Sequence, residues 1–234
     1  GALTPLSMVM VWFAILGSRS EVIGYGRADF IMYYLFTTIG WYIVGGSFSR
    51  QVGREIHNGN INKTLLKPYN IVLGAAASEQ AWKVTSLFVT MPVLAIVLYL
   101  IRDSIVWRMP IGQIPYLLVV LVLGALIFAL IEATVGILAF WVTEIWPFTD
   151  LVEIIMFLFG GTLAPIALLP TAVQRVTEWL PFRYIFYEPV NMMLGNQSDP
   201  LSVIYMQIIF VFVLYGVYRL VLRVGIKRYE GIGV

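Results

Sequence analysis

The sequence predicts an all-α, polytopic integral membrane protein in which residues 1–234 form a single transmembrane domain with six helices crossing the bilayer. Of the 234 residues, 60% are hydrophobic and 12% are charged, whereas soluble domains carry about 25% charged residues. Too few polar side chains remain to cover a soluble globule, so lipid is the expected solvent. Apolar runs recur along the whole chain without strand-like alternation, which favours helices over a transmembrane barrel.

Six segments approach the roughly 20 apolar residues that span a bilayer as a helix. The first is short, with Pro5 near its start, and we expect a few further residues to precede it. The third continues backwards as a helix through Ala75, and the fifth is interrupted by Gly160, Gly161 and Pro165. In chain order, the predicted spans are residues 2–16, 30–48, 84–101, 116–142, 148–169 and 202–224.

The distribution of lysine and arginine predicts the orientation, because cytoplasmic loops are enriched in both residues. Four of them lie in the segment from Arg50 to Pro68, between the second and third spans, and four more lie at the C-terminal end of the chain. With six spans, these two regions fall on the same side, so we expect both termini in the cytoplasm. The eight residues are Arg50, Arg54, Lys63, Lys67, Arg219, Arg223, Lys227 and Arg228.

The stretch REIHNGNINKTLLKPYN, residues 54–70, is a short amphipathic segment between two apolar runs. Its apolar residues recur intermittently, its basic residues project elsewhere, and Asn58-Gly59-Asn60 is a turn signal. One interpretation is an interfacial helix that lies among the lipid headgroups. The other is a helix that docks into a groove of a cytoplasmic partner. The pattern alone does not choose between them.

Three stretches resemble the permeases of type-2 ATP-binding-cassette (ABC) exporters. Arg-Glu-Ile, then Gly, Ile and Leu, then Leu-Lys-Pro between the second and third spans resembles their cytoplasmic loop. GGTLAPIALLPTAVQRVTEWLPFRYIFYEPVNMMLG, residues 160–195, resembles their fifth span and the re-entrant outer helices after it. IKRYEGIG near the C-terminus resembles their short cytoplasmic tail. The resemblance covers the chain from the second helix onward. The family usually begins with an amphipathic cytoplasmic helix, whereas the given sequence begins inside the first predicted span.

The resemblance implies a permease subunit in a bacterial-type cytoplasmic membrane, which pairs with a second permease, identical or homologous, and with ABC ATPase subunits. The chain itself would be no enzyme and would bind no cofactor or metal, because ATP and magnesium belong to the partner ATPase. Its cargo would be amphiphilic: a drug, peptide, lipid or glycan. The family's coupling helix, which contacts the ATPase, would include Arg54, Glu55, Ile56, Gly59, Ile61, Lys63, Leu65, Leu66 and Lys67.

The resemblance also places the translocation pathway along the second and fifth spans. Aromatic side chains on the second span would line it, namely Tyr33, Tyr34, Trp41 and Tyr42. Glu132 lies within the fourth span, where a carboxylate is costly and normally faces protein or water. Three roles stay open for Glu132: a structural hydrogen bond between helices, the lining of a cavity, or contact with cargo or a proton.

Residues 171–195 predict an amphipathic hairpin at the outer face, between the fifth and sixth spans. Such an aromatic-rich cluster beside a span is typical of an interfacial belt. A compatible alternative is a cap over the exit of the pathway that meets amphiphilic cargo. The aromatic residues of interest are Trp179, Phe182, Tyr184 and Tyr187.

The sequence lacks the motifs of several enzyme classes. The sequence contains no G-x-x-x-x-G-K-[ST], H-E-x-x-H or G-x-S-x-G, which argues against ATP hydrolysis, zinc proteolysis and serine-based acyl transfer by this chain. No cysteine and one histidine leave no thiolate or histidine-rich metal site, and a net charge of +2 gives no reason to expect nucleic acid. Two rivals remain: a channel or secondary transporter, which should place several charges in its spans, and a non-transporting scaffold or assembly subunit.

Overall fold

The structure is a computed structural model that describes residues 3–17, 19–59, 71–100, 102, 108–196 and 199–228. These residues are mostly helical, which confirms the all-α class, and one short antiparallel pair joins β1 (Glu21–Val22) to β2 (Tyr25–Gly26). The α-helices are α1 (Leu3–Leu16), α2 (Arg27–Ile43), α3 (Ser49–His57), α4 (Ile71–Leu100), α5 (Ile114–Ile137), α6 (Trp146–Phe159), α7 (Thr171–Glu178), α8 (Pro181–Ile185), α9 (Tyr187–Met193) and α10 (Pro200–Arg228). Short 3-10 turns cover Ile111–Gln113, Leu138–Phe140 and Ile166–Leu168.

Two helical stretches among the described residues are long and apolar enough to cross a membrane, Ile111–Phe140 and Pro200–Arg228. They contain α5 and α10, which pack along one another, and they match the fourth and sixth predicted spans. A shorter apolar helix covers Ser7–Leu16. The count of six spans stays a prediction.

The second predicted span is wrong at its C-terminal end, because α2 stops at Ile43 and not near residue 48. The chain turns tightly at Gly45, where an added Cβ would lie 2.3 Å from a ring carbon of Trp41. No other residue fits there without displacing the indole ring. The chain then enters α3 at Ser49, so the apolar residues Phe48 and Val52 belong to a new element and not to the span.

The predicted interruption of the fifth span is confirmed, since α6 ends at Phe159 and the chain is irregular through Pro165. Gly161 has φ +81°, a conformation that favours glycine. The hydroxyl groups of Tyr33 and Tyr34 donate to the carbonyl oxygens of Gly161 and Leu163 at 2.5 and 2.6 Å. No helix supplies hydrogen-bond donors for these two carbonyl oxygens. Main-chain polar groups in apolar surroundings need a partner, and the two tyrosine hydroxyl groups provide it.

The buried side chains form two clusters. The larger cluster lies between α2, α5 and the α7–α9 segment, and its fully buried members include Phe30, Ile127 and Phe186. The smaller cluster lies beneath α3 and joins Val52 and Ile56 to residues near the end of α5 and the start of α6. The second cluster therefore fixes α3 to the end of the apolar helix α5.

Candidate functional site

The helix α3, with the sequence SRQVGREIH, is amphipathic along its whole length. Its buried residues are Ser49, Val52, Gly53 and Ile56, which recur at three- and four-residue intervals and so share one helix face. This face packs on α5, on the 3-10 turn Leu138–Phe140 and on α6. Arg54 on the opposite side is exposed. The helix thus presents a basic surface while its apolar face holds it to the rest of the chain.

The N-terminus of α3 is hydrogen-bonded to a buried carboxylate, that of Glu132. The Ser49 N–H donates to Glu132 Oε2 at 3.0 Å, and Glu132 is 1% exposed. The first amides of a helix have no partner within it and carry partial positive charge, so a carboxylate there is doubly stabilising. The hydroxyl oxygens of Ser49 and Thr149 are 3.2 Å apart, which extends the polar contact to α6. Glu132 therefore makes a hydrogen bond between α5 and α3.

Two further contacts hold the rest of α3. The Arg50 guanidinium and the Asp150 carboxylate are 2.7 Å apart, and both side chains are 46% exposed, so this pair contributes little to stability. At the other end, His57 Nε2 lies 3.1 Å from the carbonyl oxygens of both Ala139 and Val142. Because both partners are acceptors, Nε2 carries the proton. These contacts join the first turn of α3 to α6 and its last residue to the connection between α5 and α6.

Two glycines allow this close approach. A Cβ added at Gly53 would lie 2.7 Å from Ile145 Cγ1, and one added at Gly136 would lie 2.7 Å from Val52 Cβ. Real Cβ atoms do not come so near, so alanine at either position would push α3 away from its support. The helix therefore rests directly on α5 and α6 without intervening space.

Of the nine predicted coupling residues, three lie in α3, one follows α3, and five lie outside the described residues. Arg54 is exposed, Glu55 is half-buried, and Ile56 is 3% exposed and faces the chain's own core. Gly59 follows α3 with φ +72°. The remaining five lie outside the described residues: Ile61, Lys63, Leu65, Leu66 and Lys67.

The first half of α3 and the residues that hold it, Ser49, Gly53, Thr149 and His57, are not among the predicted site residues. The four-residue spacing of Phe48, Val52 and Ile56 was the available signal. The predicted second span instead includes Phe48, because that apolar run continues to this residue without a charge.

The aromatic residues of α2 mostly face the chain's own interior. Tyr33 and Tyr34 are 1% and 2% exposed, and their hydroxyl groups hold the irregular segment after α6. Trp12 Nε1 also donates to Tyr34 Oη at 2.7 Å. Trp41 is half-buried and stacks on Phe186 with ring centroids 4.7 Å apart. Further along α2, Tyr42 is 36% exposed.

The helices α7–α9, the predicted hairpin, pack against α5 and α10. Gln207 of α10 donates through Nε2 to the carbonyl oxygens of Tyr184 and Val120, at 2.8 and 2.9 Å. Arg183 Nε lies 2.6 Å from Glu188 Oε1. Burial alone would lower the pKa of Arg183, but the charge of Glu188 raises it. The four predicted aromatic residues are placed as follows: Tyr184 and Tyr187 are buried, Phe182 is half-buried and Trp179 is 79% exposed.

The polar groups brought together here suit mechanical support better than catalysis. Among the described residues, no group of three His, Asp or Glu side chains is placed to hold a metal ion.

A family model described as "ABC-2 family transporter protein" matches residues 2–233. None of the curated proteins compared with the chain matches it.

Proposed function

Because the chain belongs to the ABC-2 family of transporter proteins, whose model matches residues 2–233, we propose that it is the permease of an ABC exporter. Membership implies a membrane component that is not itself catalytic and that associates with an ABC ATPase. The finer proposal is that ATP hydrolysis by this partner drives an amphiphilic cargo outward through a pathway that this chain lines. A second permease, identical or homologous, completes the pathway.

The observation that carries the proposal is the attachment of α3. The helix exposes Arg54, and it is anchored by Glu132 at its first residue and by carbonyl oxygens at its last. A push on α3 from a closing ATPase would reach α5 and α6 directly, since Gly53 and Gly136 leave no gap. Such a rigid-body displacement is a common route from a ligand-driven switch to a domain movement.

The remaining features of the proposal follow the predicted topology. Six spans place both termini and α3 on the cytoplasmic side of a bacterial-type cytoplasmic membrane. The helices α2 and α6 form the walls of the pathway and meet the second permease. Leu151, Ile154 and Leu158 support this role for α6, because they are 43–56% exposed and share one helix face.

The test is co-purification of the ATPase with the permease from native membranes. Ile61→Asp/Leu65→Asp replaces two apolar residues of the proposed coupling segment, and we expect loss of the ATPase together with normal insertion of the permease. Ile23→Asp/Ile111→Asp is the matched control, because both residues are exposed and lie on the opposite side in the proposed topology. Unchanged co-purification and an unchanged ATPase rate in the first variant would contradict the proposed contact.

A further inference from the structure

A cavity of about 370 Å³ opens between the α7–α9 segment and the first turns of α10. It lies at the end of α10 opposite the basic residues Lys227 and Arg228, which places it on the outer side in the proposed topology. Residues that line it and bear on its chemistry are Glu178, Trp179, Arg183, Glu188, Val203 and Met206.

The charges in this lining do not balance. Glu178 and Glu188 contribute two carboxylates and Arg183 contributes one guanidinium, which leaves one negative charge. Arg183 is engaged by Glu188 at 2.6 Å, and its guanidinium carbon lies 5.2 Å from the centre of the Tyr187 ring. Glu178 Oε1 is 3.8 Å from Arg183 Nη1, a long ion pair without a hydrogen bond, and its side chain is 55% exposed. The excess negative charge therefore lies at Glu178, on the rim of the cavity.

The walls beside Glu178 are aromatic and apolar. Trp179 is the next residue and is 79% exposed, so its ring is accessible to a ligand. Val203 and Met206 lie three residues apart on α10, which places them on neighbouring positions of one helix face. Tryptophan is the best aromatic partner for an organic cation, and a carboxylate beside it strengthens the attraction.

We propose that this cavity binds the ammonium group of an amphiphile. The cation lies between the Glu178 carboxylate and the Trp179 ring, and the hydrocarbon part lies against the half-buried Met206. An anionic headgroup is disfavoured because the one guanidinium in the described lining is already paired with Glu188. This site goes beyond the proposed function, since it belongs to the chain alone and requires no ATPase.

The experiment is isothermal titration of the purified full chain, in a neutral maltoside detergent, with hexyltrimethylammonium. Hexanesulfonate and hexanol are the anionic and neutral comparisons of the same chain length. We expect Glu178→Gln and Trp179→Ala each to weaken binding by about two- to fivefold. Glu21→Gln and Trp146→Ala are matched controls, because both residues are exposed and lie outside the cavity. Thermal unfolding of each variant checks that its fold is intact.

Equal binding of the sulfonate or the alcohol would overturn the proposal. So would a Glu178→Gln/Trp179→Ala variant that is folded and binds as tightly as the unmodified chain. Competition by dihexanoyl phosphatidylcholine, but not by dihexanoyl phosphatidylglycerol, would support the site and identify a lipid headgroup as the source of the ammonium. Binding of hexyltrimethylammonium without such competition would support the site and identify a soluble ammonium compound as its ligand. Either result leaves the proposed contact with the ATPase to its own test.

Discussion

Glu132 lies in an apolar helix, yet its carboxylate bonds the first backbone amide of α3 and its side chain is buried. A carboxylate in such a place needs a partner, and the N-terminus of a helix supplies both a donor and a favourable field. The residue thereby links α5, the longest apolar stretch of the chain, to the helix that we propose receives the push from the ATPase. We therefore interpret Glu132 as a residue that joins two helices, and its other two predicted roles, cavity lining and contact with cargo or a proton, stay predictions.

We expect Glu132→Ala to destabilise the chain by about 1–3 kcal/mol, since the Ser49 N–H loses its partner in a buried site. Glu132→Gln should be milder, because its amide oxygen still accepts that bond. Thermal unfolding in detergent measures both effects. Cargo preference should stay the same in the glutamine variant. A selective loss of transport at normal stability would show instead that Glu132 contacts cargo or a proton.

The close contact between Gly53 and Ile145 predicts the effect of a second single substitution. Gly53→Ala should destabilise the chain by about 1–3 kcal/mol through overpacking against Ile145, although alanine favours helices by about 1 kcal/mol over glycine. Gly216→Ala is the matched control, because no heavy atom lies within 4 Å of its added Cβ in α10. If Gly53→Ala unfolds at the same temperature as Gly216→Ala, α3 does not rest on Ile145 as closely as the structure shows.

At the scale of elements, the irregular segment after α6 depends on α2. Tyr33 and Tyr34 hold two carbonyl oxygens of this segment from positions 128 and 129 residues away in the chain. The sequence marks where α6 must stop, through Gly160, Gly161 and Pro165, but it does not show which side chains satisfy the freed main chain.

Tyr33→Phe/Tyr34→Phe removes both hydroxyl groups while it keeps the aromatic rings. We expect a loss of about 1–3 kcal/mol for each buried carbonyl left without its donor. Faster amide hydrogen exchange should be confined first to residues 159–165. Tyr42→Phe, on an exposed position of the same helix, should leave both measurements unchanged. An unaltered exchange pattern in the double variant would mean that other groups support this segment.

At the scale of the whole molecule, the proposal requires α3, α5 and α6 to move together. The absence of cysteine from the sequence allows spin labels to be placed at chosen sites. With labels at Arg54→Cys and Trp146→Cys, we expect the distance within one chain to stay constant when a non-hydrolysable ATP analogue is added to the complete complex. With a label at Arg54→Cys alone, the distance between two copies, in a homodimer, should change.

Double electron–electron resonance measures both distances. Trp146 and Arg54 are exposed, so the labels need not disturb the core. A change of several ångströms between the two labels of one chain would show that α3 moves independently of α6, and the proposed transmission would fail. A constant distance between the two copies would show that ATP binding does not separate the permeases at this face.

Much of the fold was predictable because its causes are local. Hydropathy marks α5 and α10 as membrane-crossing stretches, and glycine and proline mark the end of α6. The family resemblance depended on the order of short stretches, and the family match over residues 2–233 confirms it. The error at the end of the second span has a local cause too. An apolar run without charges looks continuous in sequence, although the chain turns at Gly45 and a new helix, α3, begins at Ser49.

The sequence by itself determined that this chain is a helical membrane protein of a transporter family, because composition, apolar run length and motif order require no knowledge of contacts. Only the tertiary structure decided what Glu132, Tyr33 and Tyr34 do. Their partners lie 83 to 129 residues away, and a pairing over such distances depends on how the helices pack. Hydropathy patterns show which face of a helix is buried, but they do not show which side chain or main-chain group that face contacts.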